Sequence, residues 1–338
     1  MPNKTTSTLA GLAALCVLPF ALTAAAPEAS RYYLHIVIQM LLWAQIYTAW
    51  SLMGRHGLTS LGHGAFTGIG AYVTVMLWNW LGVTPLIGIP LAVALAVLFA
   101  ILIGYPSFTQ KIKGHYFALL TLAMVEFVRL CIVGLRDYTG GSLGTQPERH
   151  SDGLSLIAVQ FESNRVVAYF VVLILWLGTL WAWRKLNDSM DRFALEAISE
   201  DEDAAAAVGI NVTGEKLKIT AISAGLSALG GAFFAQYQMY VGPDTISGLN
   251  VSLNIVFGVV AGGMGVILGP TVGAVFTQAL SEGLRLFIQG SEWLNAVLGK
   301  SALSLDGVIY GLLLVFFIIY MPKGILGTIL ERAKKRST

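Results

Sequence analysis

About ten times along this chain, 18 or more residues pass with few charges: 8–26, 33–53, 58–80, 86–105, 114–134, 165–183, 217–240, 251–268, 269–288 and 303–321. At a rise of 1.5 Å per residue, each is long enough to cross a hydrocarbon layer of roughly 30 Å. A segment in lipid must satisfy its own backbone N–H and C=O groups, which makes a helix of every such stretch. The chain therefore reads as an all-α polytopic membrane protein, one domain over residues 1–338 with about ten transmembrane helices. The eighth and ninth segments meet at Gly262-Gly263-Met264-Gly265 and Gly269-Pro270, which mark either a turn between two helices or one broken helix. A composition of 56% hydrophobic and 12% charged residues lies far from soluble averages.

The long, highly charged interruption spans residues 184–218. Glu196, Glu200, Asp201, Glu202 and Asp203 crowd its middle, and each charge at the bilayer centre costs roughly 2.5–3.5 kcal/mol. This loop must lie in water. Asp191 is placed to cap a helix, residues 193–208 are good helix formers without Gly or Pro, and Gly209 supplies a stop. The expectation is one short helix outside the membrane.

Lys and Arg residues are retained on the cytoplasmic side. One alternating set of loops holds fourteen of them, including Arg55, Lys111, Lys113, Arg184, Lys185 and Lys218, and the other holds five. That asymmetry places both termini, the 184–218 loop and the basic 322–338 tail in the cytoplasm, with the 135–164 loop outside. Residues 1–26 read either as a retained first span or as a signal peptide ending at Ala24-Ala25-Ala26-Pro27, and their length favours retention. A net charge of +2, with basic residues spread out, gives no nucleic-acid surface. Cys16 and Cys131 fall in apolar segments, so neither a disulfide nor a metal site is indicated.

Residues 121–134 and 277–290 share the pattern Thr-x-Ala-x-x-Glu-x-x-Arg-Leu-x-Ile-x-Gly, and 57–62 resembles 225–230. A repeat of this kind implies two related bundles with a path between them. Within it, Glu126 with Arg129 and Glu282 with Arg285 stand one helical turn apart and can pair. Intramembrane ion pairs mark substrate paths or, near the interface, fix helix depth. Gly62, Gly64, Gly68 and Gly70, and later Gly262, Gly263 and Gly265, are small residues that permit close helix packing. Gly299-Lys300-Ser301 mimics a P-loop ending, but Leu294 stands where its leading Gly belongs. Asn211-Val212-Thr213 fits a glycosylation sequon but falls in the cytoplasmic loop, where Asn211 is better read as the cap of the next helix.

Several blocks together resemble the second membrane subunit of bacterial branched-chain amino acid ABC importers. They are 57–72 (GLTSLGHGAFTGIGAY), His115-Tyr116-Phe117-Ala118-Leu119 through Arg129, Thr139-Gly140-Gly141-Ser142, residues 197–211 (AISEDEDAAAAVGIN), and the glycines from Gly262 to Gly273. Asp203-Ala204-Ala205-x-x-x-Gly209 is similar to the E-A-A-x-x-x-G signature of ABC-importer permeases, with Asp in place of Glu. The resemblance implies that this helix receives an ATPase, through Asp191, Arg192, Glu196, Ala197, Glu200, Asp201, Asp203, Ala204, Ala205 and Gly209. Its close-packing face would come from Ala197, Ala204, Ala205 and Val208. It further implies a homologous second permease, two cytoplasmic ATP-binding subunits carrying ATP and Mg, and a periplasmic solute-binding protein meeting the outer loop near Thr139, Gly140 and Gly141. The chain itself would hold no cofactor or metal and catalyse no reaction, lying multi-pass in a bacterial inner membrane among lipid. Relatives commonly carry Arg where this chain has Glu196 and Ser199, so the expected ATPase surface is acidic and calls for basic groups on its partner. Urea, amides and aromatic or other carboxylates remain alternative solutes, and an ion-coupled secondary transporter is the competing class.

Overall fold

The computed structural model describes residues 4–25, 27–150, 154–155, 157–161, 164–290, 309, 311–312, 315–316, 319–320 and 324–336. The tenth apolar segment, 303–321, and the Gly299-Lys300-Ser301 motif fall largely or wholly outside them. The described chain is helical apart from one two-residue antiparallel pair, β1 (Leu154–Ser155) with β2 (Gln160–Phe161), and a bridge between Thr145 and Val241. Its long helices are α1 (Lys4–Ala25), α2 (Ser30–Gly54), α3 (His63–Leu81), α4 (Pro85–Thr109), α5 (His115–Gly134), α7 (Arg165–Asn187), α10 (Val212–Gln238), α12 (Leu249–Gly262) and α13 (Gly269–Gly290). Between them lie the short α6 (Arg136–Thr139), α8 (Met190–Glu200), α9 (Glu202–Ala207) and α11 (Pro243–Ile246), and α14 (Gly324–Arg336) follows.

Among the described residues, six stretches are long and apolar enough to cross a membrane: α2, α4, α5, α7, α10, and α11 joined to α12. The nine expected segments before residue 290 each coincide with a helix, yet α1, α3 and α13 are not among the six: the apolar part of α1 is the shorter Ala13–Ala25, and α3 and α13 fall short in hydropathy. α3 carries His63, Thr67, Thr74 and Asn79, and α13 carries Gln278, Glu282 and Arg285. α3 also begins five residues later than expected, because Gly57 takes φ +79° and residues 58–62 are irregular. The two similar stretches 57–62 and 225–230 are therefore not both helical, since the second lies in the middle of α10. The Gly262–Gly269 region is resolved as a turn: α12 stops at Gly262, Gly263 takes φ +114°, and α13 starts at Gly269.

α2 and α10 form the centre. α10 packs along α3 and α4, while α2 packs along α7, α13 and α10. Burial separates the roles, with 72% of the apolar window of α2 inside against 28% for α4, whose Leu91, Leu95, Leu98 and Leu102 point outward. The backbones of α3 and α10 meet closely: a Cβ on Gly70 would stand 2.0 Å from the Ala228 carbonyl oxygen, and one on Gly231 2.1 Å from that of Thr67. Only glycine fits that seam. Polar side chains link α2, α3, α10 and α11 as well. Gln45 Nε2 donates to the Leu226 carbonyl at 2.8 Å, His63 Nε2 lies 2.8 Å from Ser223 Oγ, and Thr67 Oγ1 donates to the Ile246 carbonyl at 2.7 Å.

Candidate functional site

The 184–218 loop folds into two helices rather than the single one expected. Asp201 takes an extended backbone, φ −152° and ψ 112°, which ends α8, and its Oδ1 then accepts from Asp203 N (2.9 Å) and Ala204 N (3.0 Å) to start α9. The position before α8 is Ser189, so Asp191 lies inside the helix and is no cap. Gly209 does end the element, at φ +92°, and Asn211 caps α10 by accepting from Gly214 N at 3.0 Å.

α8 is amphipathic. Leu195 and Ile198 are buried, and Leu195 joins an apolar cluster with Leu52, Met53, Phe108, Trp183 and Ile219 at one end of the bundle. Ala205 of α9 is buried too, at 3% exposure, and Ala197 is partly covered. Ala205 faces the chain's own bundle. The outward surface instead presents Met190, Phe193, Ala204 and Val208, with Met190 and Val208 each 78% exposed.

Four ion pairs brace the element. Glu202 Oε1 accepts from Lys216 Nζ at 2.5 Å inside the bundle, while Lys218 reaches Asp191 (2.5 Å), Lys111 reaches Asp203 (2.7 Å) and Arg192 reaches Glu196 (2.6 Å) nearer its surface. The hydrogen bond from Lys111 holds the Asp203 carboxyl below its ordinary range, and Arg192 does the same for Glu196. Much of the acidity that distinguishes this loop is therefore met within the chain, and Glu200 is left among the exposed carboxylates. Behind the helices lies a cavity of about 470 Å³, bordered by His56, Lys113, His115, Ser199, Glu202 and Lys216. The pairing of Lys111 and Lys216 with these helices is not among the sequence expectations. Lys216 shares a helical face with Ile219, Thr220 and Ser223, all buried, and that spacing is the signal that would have found it.

The two Glu–Arg pairs differ. Arg129 grips Glu126 with Nη2 at 2.6 Å and Nε at 3.0 Å, and its Nη1 reaches Asp244 of α11 at 3.3 Å. Arg285 stands 3.8 Å from Glu282, whose other oxygen accepts from the Tyr32 hydroxyl at 2.6 Å. Neither Tyr32 nor Asp244 was anticipated.

Of the packing glycines, Gly62, Gly64, Gly68, Gly70 and Gly262 all border neighbours that a Cβ would strike within 2.7 Å. Gly263 serves the turn through its positive φ, and its backbone lies against Gly324 of α14. Gly265 has nothing within 4 Å of its Cβ position among the described residues. In the 135–164 loop, Thr139 is buried and donates to the Ile132 carbonyl at 2.5 Å, Gly140 takes φ +75°, and Gly141 is buried as well. They stop α6 and turn the chain, and the surface at this point is Ser142 and Leu143, the latter 75% exposed.

The family model described as branched-chain amino acid transport system, permease component, matches residues 32–318. The high-affinity branched-chain amino acid transport system permease protein LivM of Salmonella typhimurium is 29% identical over 305 residues, covering 85% of this chain and 68% of that protein. LivM of Escherichia coli is 29% identical over 294 residues, covering 81% of this chain and 65% of that protein. The chain thus spans about two thirds of the length of these relatives. No solved structure matches it. With the family match running through nearly all of its helical bundle, the chain belongs to the permease component family of branched-chain amino acid transport systems.

Proposed function

We propose that this chain is the membrane-spanning permease of an ATP-driven importer that carries branched-chain or closely related amino acids. A solute-binding protein delivers the amino acid at the outer face, a homologous second permease completes the path, and two cytoplasmic ATP-binding subunits drive it. ATP and Mg belong to those subunits, and this chain acts as a transport element. The α8–α9 pair carries the reading. It is braced to the bundle by ion pairs yet turns Met190, Phe193 and Val208 away from it, as an element seated in a partner's groove must. ATP binding shifts a conformational equilibrium only when its subunits contact the two states differently, and this pair is the part of the chain built for such contact.

In the same reading the protein crosses an inner membrane about ten times, with both termini cytoplasmic. α3 and α13 are then spans that carry polar residues, and the glycine-lined seam holds α3 on α10. Ser142 and Leu143 meet the binding protein, and the Glu282–Arg285 pair borders the path. The names of the relatives support the solute class.

The test is reconstitution of the chain with its companion subunits in proteoliposomes. Uptake of leucine, isoleucine or valine that requires internal ATP and external binding protein is the expected result. Uptake that persists without ATP and collapses with an ion gradient would overturn it in favour of a secondary transporter.

A further inference from the structure

The difference between the two Glu–Arg pairs points to a ligand site. Both belong to the same sequence pattern one helical turn apart, yet the Glu126–Arg129 pair closes on itself through three hydrogen bonds while Glu282 and Arg285 stay 3.8 Å apart. The open pair lines a cavity of about 280 Å³ between α2, α10 and α13, whose other walls include Tyr32, Gln39, Trp43 and Phe234. Small-molecule sites run from roughly 300 to 1,000 Å³, so this one has room for a small solute only. Its floor is aromatic: Trp43 and Phe234 meet edge to face with centroids 5.8 Å apart.

We infer that this cavity binds a zwitterionic, aliphatic α-amino acid, with Arg285 taking the carboxylate, Glu282 the ammonium, and Trp43 and Phe234 the side chain. The chemistry follows from each group. A guanidinium donates two parallel hydrogen bonds to a carboxylate, the strong bidentate arrangement. Glu282 has one oxygen held by the Tyr32 hydroxyl, which fixes the carboxylate and leaves the other oxygen turned toward Arg285. A solute bearing both charges on one carbon can lie across so loose a pair and engage both partners, whereas a monocarboxylate or monoamine engages only one of them. Tyr32 and Glu282 are joined across 250 residues of sequence, so the site is assembled only when α2 and α13 pack.

The inference rests on the transport reading and deepens it. The experiment uses the full assembled importer, purified without the binding protein, and measures thermal stabilisation by L-leucine, by 4-methylpentanoate and by 3-methylbutylamine. Stabilisation by leucine alone is expected, with at least a tenfold weaker midpoint in Glu282→Gln and Arg285→Gln and an unchanged one in Glu126→Gln. Arg285→Lys keeps the charge and loses the fork, so it is expected to assemble normally and still bind leucine more weakly. The swap of Glu282→Arg with Arg285→Glu separates recognition from bracing, because a merely structural pair is restored by the exchange and a recognition pair is not. Unchanged leucine affinity in the Glu282 and Arg285 variants of an importer that still transports leucine overturns the site and leaves the transport reading intact. Stabilisation by phosphatidylethanolamine and not by leucine overturns it in favour of a lipid site. An assembled wild-type importer that moves no branched-chain amino acid overturns the transport reading itself and the site with it.

Discussion

Lys216 and Glu202 meet at 2.5 Å with the lysine 2% and the glutamate 12% exposed, so that α9 is pinned to α10 by a buried ion pair. Removing one member of such a pair strands the other charge away from water and costs about 3–5 kcal/mol. Glu202→Ala should therefore release α9, seen as faster hydrogen exchange of the Ala204–Ala207 amides and faster proteolysis within residues 184–218. The double variant Glu202→Ala with Lys216→Met should recover most of the protection. Equal loss in the single and double variants would show that the pair is not what holds α9.

His56, 5% exposed between α2 and α3, has its imidazole pushed down to about 4, chiefly by burial and next by the Arg55 charge beside it. The unfolded chain takes up that proton near the ordinary value of 6.5, and the folded chain resists it until about 4. The stabilising contribution is thus complete above pH 6.5, falls through the interval between 6.5 and 4, and levels off below. Thermal melting in detergent across that interval should show a slope that flattens in His56→Gln. An identical slope in both proteins would remove His56 from the account.

The α3–α10 seam predicts a sharp contrast among glycines. Gly70→Ala and Gly231→Ala place a methyl about 2 Å from a backbone oxygen of the facing helix, and overpacking of this kind costs roughly 1–3 kcal/mol. Gly265→Ala meets nothing within 4 Å and should be near neutral. Melting temperatures of the three variants give the comparison, and equal values would deny the seam its role.

The positions of the described helices were legible because hydrocarbon admits so few structures, and the Gly209 stop was legible because a positive φ suits glycine. The break at Asp201 was not. Four acids in a row, Glu200–Asp203, offer several capping side chains, and only the packing of Leu195 and Ile198 on one side and Ala205 on the other selects which one turns the chain. The Glu–Arg spacings were visible in sequence, whereas the closed geometry of one and the open geometry of the other depend on Asp244 and Tyr32, more than one hundred residues away in each case. Thr139 and Gly141 were expected at a partner's surface and are buried, because sequence does not distinguish a glycine that shows its backbone from one that buries it.

Loop charge predicts sidedness. A cysteine at Ser142 should react with a membrane-impermeant thiol reagent in intact cells, and one at Thr213, within the first turn of α10, should react only after permeabilisation. Equal labelling of both in intact cells would overturn the orientation.

The outward face of α8 and α9 yields the last prediction. Phe193 and Val208 touch little of their own bundle, being 59% and 78% exposed, so Phe193→Asp and Val208→Asp should leave membrane insertion and melting temperature unchanged. Their expected effect lies wholly on the partner: a carboxylate driven into an apolar groove is desolvated without a counter-charge, which weakens docking. Asp203→Lys works differently, because it places a second cation against Lys111 in a pair that is 2.7 Å long and largely exposed, and so tilts α9 rather than unfolding it. Gly209→Val strains the φ +92° stop and shifts α9 relative to α10. All four variants should associate normally with the sister permease, lose the ATP-binding subunits on co-purification, and lose solute-stimulated ATP hydrolysis. Glu196→Arg should set its new charge against Arg192 and change coupling only modestly, since the native carboxylate is already held at 2.6 Å within the chain. Retained ATPase binding and hydrolysis in both the Phe193 and Val208 variants would place the coupling surface elsewhere.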